Sequence, residues 1–146
     1  MKRIIFVMMV MLGSYTAFGQ HTNKLVNDYI VIKNALVSGD SKAVSKAVAS
    51  FQQTLKEEGN FSGKDVLVKA TDNMAKATAI EKQRDGFNEV STSLWAVVKG
   101  GDKVDMTVYY QYCPMKKAYW ISETQAIKNP YYGAGMLTCG KVVETR

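Results

Sequence analysis

The hydrophobic period of this 146-residue chain changes at Gly100-Gly101, and one layer of secondary structure cannot satisfy both patterns. Upstream, apolar residues recur with helical spacing. Leu25, Tyr29, Ile32 and Leu36 form one stripe, widened by Val26, Ile30 and Val37, and Gly39 is placed to end that helix. Ser41 is positioned to cap a second helix carrying Val44, Val48, Phe51 and Leu55, which should finish before Gly59. A third helix starts at Ser62 and uses Leu67, Ala70 and Met74. Thr78 and Glu81 have the spacing of a capping box, in which a hydroxyl and a carboxylate satisfy free N–H groups at a new helix start. The fourth helix then carries Phe87, Val90, Leu94 and Val97 to Gly100-Gly101. Gly86 inside it costs about 1 kcal/mol relative to Ala, which marks a close contact. Four amphipathic helices joined by short links predict an antiparallel four-helix bundle.

Downstream, Val104, Met106, Val108, Tyr110 and Tyr112 alternate with Asp105, Thr107, Tyr109 and Gln111, the period of a strand. Pro114 stops it, because proline cannot donate to a ladder. The segment AYWIS (residues 118–122) supplies a second strand and CGKVVE (139–144) a third, short one. Ser122 and Gln125 are spaced to cap a short helical turn, and Asn129-Pro130 and Gly133 mark turns. The predicted fold is mainly α: an antiparallel four-helix bundle with a small C-terminal, β-hairpin-like, aromatic-rich unit over residues 102–146.

The chain opens with Lys2 and Arg3, the apolar run Ile4 to Leu12, and Ala17-Phe18-Gly19 ahead of Gln20. This pattern predicts a cleavable secretory signal over residues 1–19. The apolar run falls short of the ~20 residues a spanning helix needs. The expected mature protein, residues 20–146, is a single soluble, exported domain with no membrane span. Loss of Lys2 and Arg3 lowers the formal charge from +6 to +4. Without a dense basic stripe, nucleic acid is not an expected partner.

The residue inventory argues against an enzyme. His21 is the only histidine and lies near the expected N-terminus, so neither a Cys–His nor a Ser–His pair is available. The ligands are too few for a zinc site. Gly133, Gly135 and Gly140 lack the strand-to-helix context of a phosphate loop. What is concentrated is sulfur. Of the methionines beyond the leader, Met74, Met106, Met115 and Met136, two lie within three residues of a cysteine: Cys113-x-Met115 and Met136-x-x-Cys139. Thiolate and thioether are soft donors that select Cu(I) over hard cations, and Lys116 and Lys117 favour the thiolate form.

The same cysteines in an exported domain can instead form a disulfide. Closing a loop of about 25 residues contributes roughly 3.5 kcal/mol on the chain-entropy treatment, with Met115 and Met136 then only filling space. On the residues alone both readings stay open. Trp120 either shields a metal site or packs in the core. Tyr131 and Tyr132, beside Gly133, either pack the turn or, with Trp120, face a partner. Arg84 is expected on the surface, paired with Asp85 or Glu81. His21 is expected to be a terminal residue able to supplement a Cu(II) site.

The runs VYYQYCPM, AYWIS, IKNPYYGAGMLTCG and EKQRDGFNEVS together resemble the family known as domain of unknown function 3347. The resemblance covers nearly the whole mature chain and is most specific in its C-terminal third. It implies a periplasmic helical domain, alone or attached to adaptor subunits of copper/silver-type efflux pumps, with an efflux adaptor or a metallochaperone as partner. It also implies copper or a similar soft metal, with Cys113, Met115, Met136 and Cys139 at the positions of the family's Cys/Met pattern. Family members carry a longer polar connection between CPM and the Trp; here only Lys116-Lys117-Ala118-Tyr119 intervene. The expected function is a periplasmic Cu(I)-binding accessory protein of heavy-metal efflux or homeostasis. The alternative is a non-metal interaction module stapled by a Cys113–Cys139 disulfide.

Overall fold

The computed structural model describes residues 17–101 and 104–146. The predicted leader lies outside the described residues, except for residues 17–19, which open the first helix. Among the described residues four helices come first: α1 (Ala17–Ser38), α2 (Ser41–Glu57), α3 (Lys64–Ala75) and α4 (Ile80–Gly100). Each helix packs on the next, and α4 closes back against α1. The predicted stripes all meet in one core: Leu25, Tyr29, Ile32 and Leu36 of α1 are buried with Val48 and Phe51 of α2, Met74 of α3, and Phe87 and Leu94 of α4. Gly86 marks the close approach anticipated for it, since a Cβ there would lie 3.2 Å from the Cα of Met74 on α3. No helix among the described residues is long and apolar enough to cross a membrane.

The helix ends depart from the sequence reading, each for a local reason. Gly39 ends α1 in the left-handed region (φ 75°), with N–H bonds from Gly39 to Leu36 O and from Asp40 to Ala35 O. That turn leaves Asp40 extended, so its carboxylate, and not Ser41, caps α2 by accepting from Lys42 N and Ala43 N at 3.0 Å. Helix α3 starts at Lys64 behind Gly63, two residues later than expected. The Thr78–Glu81 capping box does not form: Ala79 is the N-cap, and the Glu81 carboxylate is engaged 3.1 Å from Arg84 Nη1.

Beyond α4 the chain forms β1 (Tyr109–Cys113), β2 (Ala118–Ser122) and β3 (Lys141–Thr145), an antiparallel sheet of order β2-β1-β3. The alternation that starts at Val104 becomes strand only at Tyr109, because pairing with β3 stops at the Val108–Arg146 pair and Asp105 donates its N–H to the Asn23 side chain. A register shift between Tyr110 and Gln111 puts both inside and leaves Tyr112 half-buried. Gln111 Nε2 donates to the carbonyls of Thr124 and Gln125, at 3.1 and 3.2 Å. Those carbonyls are then unavailable for the helical turn expected after Ser122.

The sheet is fastened to the bundle along β2. Tyr119 N–H donates to Asn88 Oδ1 (2.8 Å) and Ile121 N–H to the Tyr29 hydroxyl (3.1 Å), which itself lies 2.7 Å from Ser91 Oγ. Trp95 of α4 stacks on Tyr110, and Tyr110 on Tyr119, with ring centroids 4.6 and 4.9 Å apart. Arg84 is not the surface residue the sequence suggested. It is buried, and besides Glu81 it donates to Leu36 O at the end of α1 and to Pro130 O in the tail. Asp85 pairs instead with Lys116, at 3.0 Å. Buried Lys33 of α1 holds Glu123 at 2.7 Å just after β2.

Phe87 is fully buried and stacked on Tyr29, with centroids 5.0 Å apart. Phe87→Ala is expected to cost about 3–5 kcal/mol in denaturant unfolding; a loss under about 1 kcal/mol would place this face outside the core. Burial raises the Glu123 carboxyl, but Lys33, its own N–H and Asn34 together hold it below the ordinary 4.5. A folded value that is depressed stabilises the protein above the ordinary range, and that contribution is lost as pH falls through the folded value. On acidification below the ordinary glutamate range, wild-type stability should therefore fall more steeply than that of Glu123→Gln. Parallel acid limbs would show that the Lys33 pair contributes nothing.

Candidate functional site

Pro114 ends β1 immediately after Cys113, and the chain reverses through Pro114–Lys117 before pairing Ala118 back against Cys113. Lys117 takes φ 54° to complete this turn. The second sulfur arrives from the other side. A 3-10 turn, Gly133–Met136, leads to Cys139, and β3 then starts at Lys141 opposite Tyr112. Gly140 has φ 153°, and a Cβ on it would lie 2.6 Å from Cη2 of Trp120, so the chain crosses directly over the indole. A side chain at 140 would push Cys139 off the end of β1.

The result is two free cysteines with sulfurs 3.5 Å apart, Cys113 fully buried and Cys139 half-buried. A disulfide requires about 2.05 Å, so the sulfurs are in contact but unbonded. Asn129, read from the sequence only as a turn marker, organises the pair. Its Nδ2 donates to Cys139 O at 2.7 Å and its Oδ1 accepts from Tyr131 N–H at 2.8 Å. The signal was Asn-Pro itself, since Asn side chains bond the backbone two residues on.

The two thiols are electrostatically unequal. Burial pushes Cys113 up, but hydrogen bonds to its sulfur from the Lys116 backbone, the Asn129 amide, Cys139 and the Met115 backbone outweigh that and carry it below the ordinary thiol value. Cys139 moves the other way: donating to Cys113 holds its proton, and burial and the charge of Cys113 add to the effect. The pair thus favours a buried thiolate that accepts from a half-buried thiol. Backbone N–H groups aimed at a sulfur form an anion-binding concavity, which favours a thiolate with or without a metal.

Of the predicted soft-metal donors, the structure brings the two cysteines together. Met115, in the β1–β2 turn, and Met136, whose carbonyl accepts from Cys139 N–H at 3.1 Å, flank them and face solvent. An ion with metal–sulfur bonds of about 2.3 Å reaches both cysteine sulfurs as they stand. The donors on offer are sulfur, since no group of three or more His, Cys, Asp or Glu converges among the described residues. Trp120 and Tyr131 are buried, so the proposed aromatic partner surface is not available; of its three residues only Tyr132 keeps partial exposure. Trp120 is the floor under Gly140, and the Tyr131 hydroxyl donates to Tyr119 O. His21 is not a loose terminal residue either: its Nδ1 pairs with Glu58, at the end of the bundle away from the cysteines.

The family model described as "Protein of unknown function (DUF3347)" matches residues 25–105, which span α1 to α4 and end before Cys113. No curated protein and no solved structure matches the chain.

The inequality of the thiols can be read from thiolate absorbance against pH in single-cysteine variants. Ser at 139 keeps an O–H donor toward Cys113, and Ala removes it. Cys113 should therefore titrate higher in Cys139→Ala than in Cys139→Ser. Equal values would mean that contact with residue 139 does not hold the Cys113 thiol down.

Proposed function

The chain belongs to the DUF3347 family, and on that premise we propose that it is an exported soft-metal-binding accessory protein that carries Cu(I) between Cys113 and Cys139. The observation that supports this most is the sulfur pair itself: two unbonded thiols 3.5 Å apart, one of them biased to the thiolate by N–H donors. Thiolate is the metal-binding form of cysteine. The thioethers of Met136 and Met115 stand at the exposed side, where weaker soft donors permit ligand exchange. Binding rather than catalysis is favoured because the lone histidine lies at the other end of the bundle. The leader pattern of residues 1–19 supports export to the periplasm. The resemblance of the C-terminal motifs supports a place in heavy-metal efflux or homeostasis, with an efflux adaptor or a metallochaperone as partner.

The same sulfur contact favours a second reading, a Cys113–Cys139 disulfide stapling a non-metal interaction module, because sulfurs already in contact oxidise with little backbone movement. One experiment divides the two. The reduced protein, residues 20–146, is titrated with Cu(I) against a chromophoric chelator. Under the metal reading, Cys113→Ser or Cys139→Ser abolishes tight binding and Met136→Leu weakens it roughly tenfold, about 1.4 kcal/mol. If wild type binds no more tightly than an unrelated dithiol, while either Cys→Ser change lowers stability only under oxidising conditions, the staple reading stands.

A further inference from the structure

The cysteine end of the sheet is rich in lysine. Between Asp105 and Glu144 the chain has four lysines, Lys116, Lys117, Lys128 and Lys141, and a single acid, Glu123, which is engaged by Lys33. The fold puts these lysines on the segments that lead into and out of the two cysteines. Lys116 and Lys117 occupy the turn that follows Cys113. Lys141 is in register with Tyr112, the residue before Cys113. Lys128 adjoins Asn129, which holds the Cys139 carbonyl. Lys117, Lys128 and Lys141 are exposed. The acids at this end of the bundle are each engaged: Asp85 with Lys116, Glu81 with Arg84, and Asp40 with the N-terminus of α2.

Inside this basic rim the surface is soft and apolar. Met115 is 66% exposed, Met136 38% and Leu137 36%, and three of the six large exposed hydrophobic residues of the described chain are therefore at this one end. Isolated exposed apolar residues need no explanation, but a cluster rimmed by charge marks an interaction surface. We propose that this face docks an acidic protein surface that delivers or receives the soft metal, with the lysines steering the encounter and Met115 and Met136 meeting the metal first. The inference rests on the soft-metal reading and adds the chemistry of the partner. Complementary charge acts mainly on the association rate and on partner choice, and it is screened by salt. The site therefore exchanges metal with an acidic carrier faster than with a neutral one of the same donor set.

Two synthetic peptides test this: one alternates Met with Asp, the other Met with Asn, so their thioether donors are equal and their charge is not. Each is loaded with Cu(I) and mixed with the reduced full-length mature protein, and transfer is followed in time. The Asp peptide is expected to transfer about tenfold faster at low salt, with the advantage collapsing as salt rises. In the variant Lys128→Glu/Lys141→Glu that advantage should vanish, while equilibrium Cu(I) affinity against a neutral chelator stays at the wild-type value. Equal rates from the two peptides, or an advantage that survives the double substitution, overturns the docking inference and leaves the metal reading intact. No uptake from either peptide or from the neutral chelator overturns the metal reading, and this inference with it.

Discussion

The outer edge of β2 is the seam on which the two halves of this chain depend. In the order β2-β1-β3 that edge has no strand beside it, and here it is turned into the bundle rather than toward water. A buried backbone group without a partner costs about 1–3 kcal/mol, so every exposed rung must be met by a side chain. The helices and the tail meet three of them: Asn88 takes the N–H of Tyr119, Tyr29 takes that of Ile121, and Tyr131 gives its hydroxyl to Tyr119 O. These bonds admit one register. A slip by one residue would reverse every side chain of β2, bringing Trp120 out from beneath Gly140 and leaving the helix side chains unpaired. The position of Cys113 at the α4 N-terminal end follows from that single fit.

The second sulfur is placed by different means, and the contrast bears on how the site works. Cys113 sits in a strand whose register is locked. Cys139 lies in an irregular segment tied down by Arg84 to Pro130 O, by Asn129 to Cys139 O, and by the passage of Gly140 over Trp120. Arg84 also binds Leu36 O, so the end of α1 and the start of the tail share one buried guanidinium. A buried guanidinium that donates to two carbonyls holds its geometry firmly, because moving either one leaves a buried N–H unpaired. The strand-held sulfur is the fully buried one, shifted toward the thiolate, and its partner is the half-buried one, shifted toward the thiol. From solvent inward the order is Met115 and Met136, then Cys139, then Cys113.

Much of the scaffold was legible in the sequence because periodicity reports burial directly. The stripes from Leu25 to Leu36 and from Phe87 to Val97 became core, and Gly39 and Gly86 mark a stop and a close contact as their chemistry requires. What was not legible depends on partners distant in sequence. Glu81 has the spacing of a capping box, yet a guanidinium three residues on competes for its carboxylate and wins it. Trp120 and Tyr131 stay open between packing and a partner surface in the sequence, because nothing local says that Gly140 and Phe87 will cover them. Arg84 read as solvated because its two carbonyl partners lie 48 and 46 residues away. At the site, the pairing of the cysteines was readable from strand and turn signals. The role of Asn129 and the split between the two thiols were not, since both arise from hydrogen bonds across the fold.

Neither half of the molecule is complete alone, and this limits where it can move. Tyr29, Lys33, Arg84 and Asn88 all lie in the helices, and each directs a polar group at the tail. Swinging the sheet away would expose apolar core and strand these groups at once, a cost of several kcal/mol summed over the set. A hinge between bundle and sheet is therefore not the motion that opens the sulfur site. The segment with fewer such ties is 134–138: it is exposed throughout, and a Cβ on Gly135 would meet nothing within 4 Å. It carries Met136 and Leu137, while Cys139 beyond it is held by Asn129 and Cys113 belongs to the sheet. The helical scaffold is thus the fixed base, and the short glycine-bearing loop is the part of the sulfur end least tied to it.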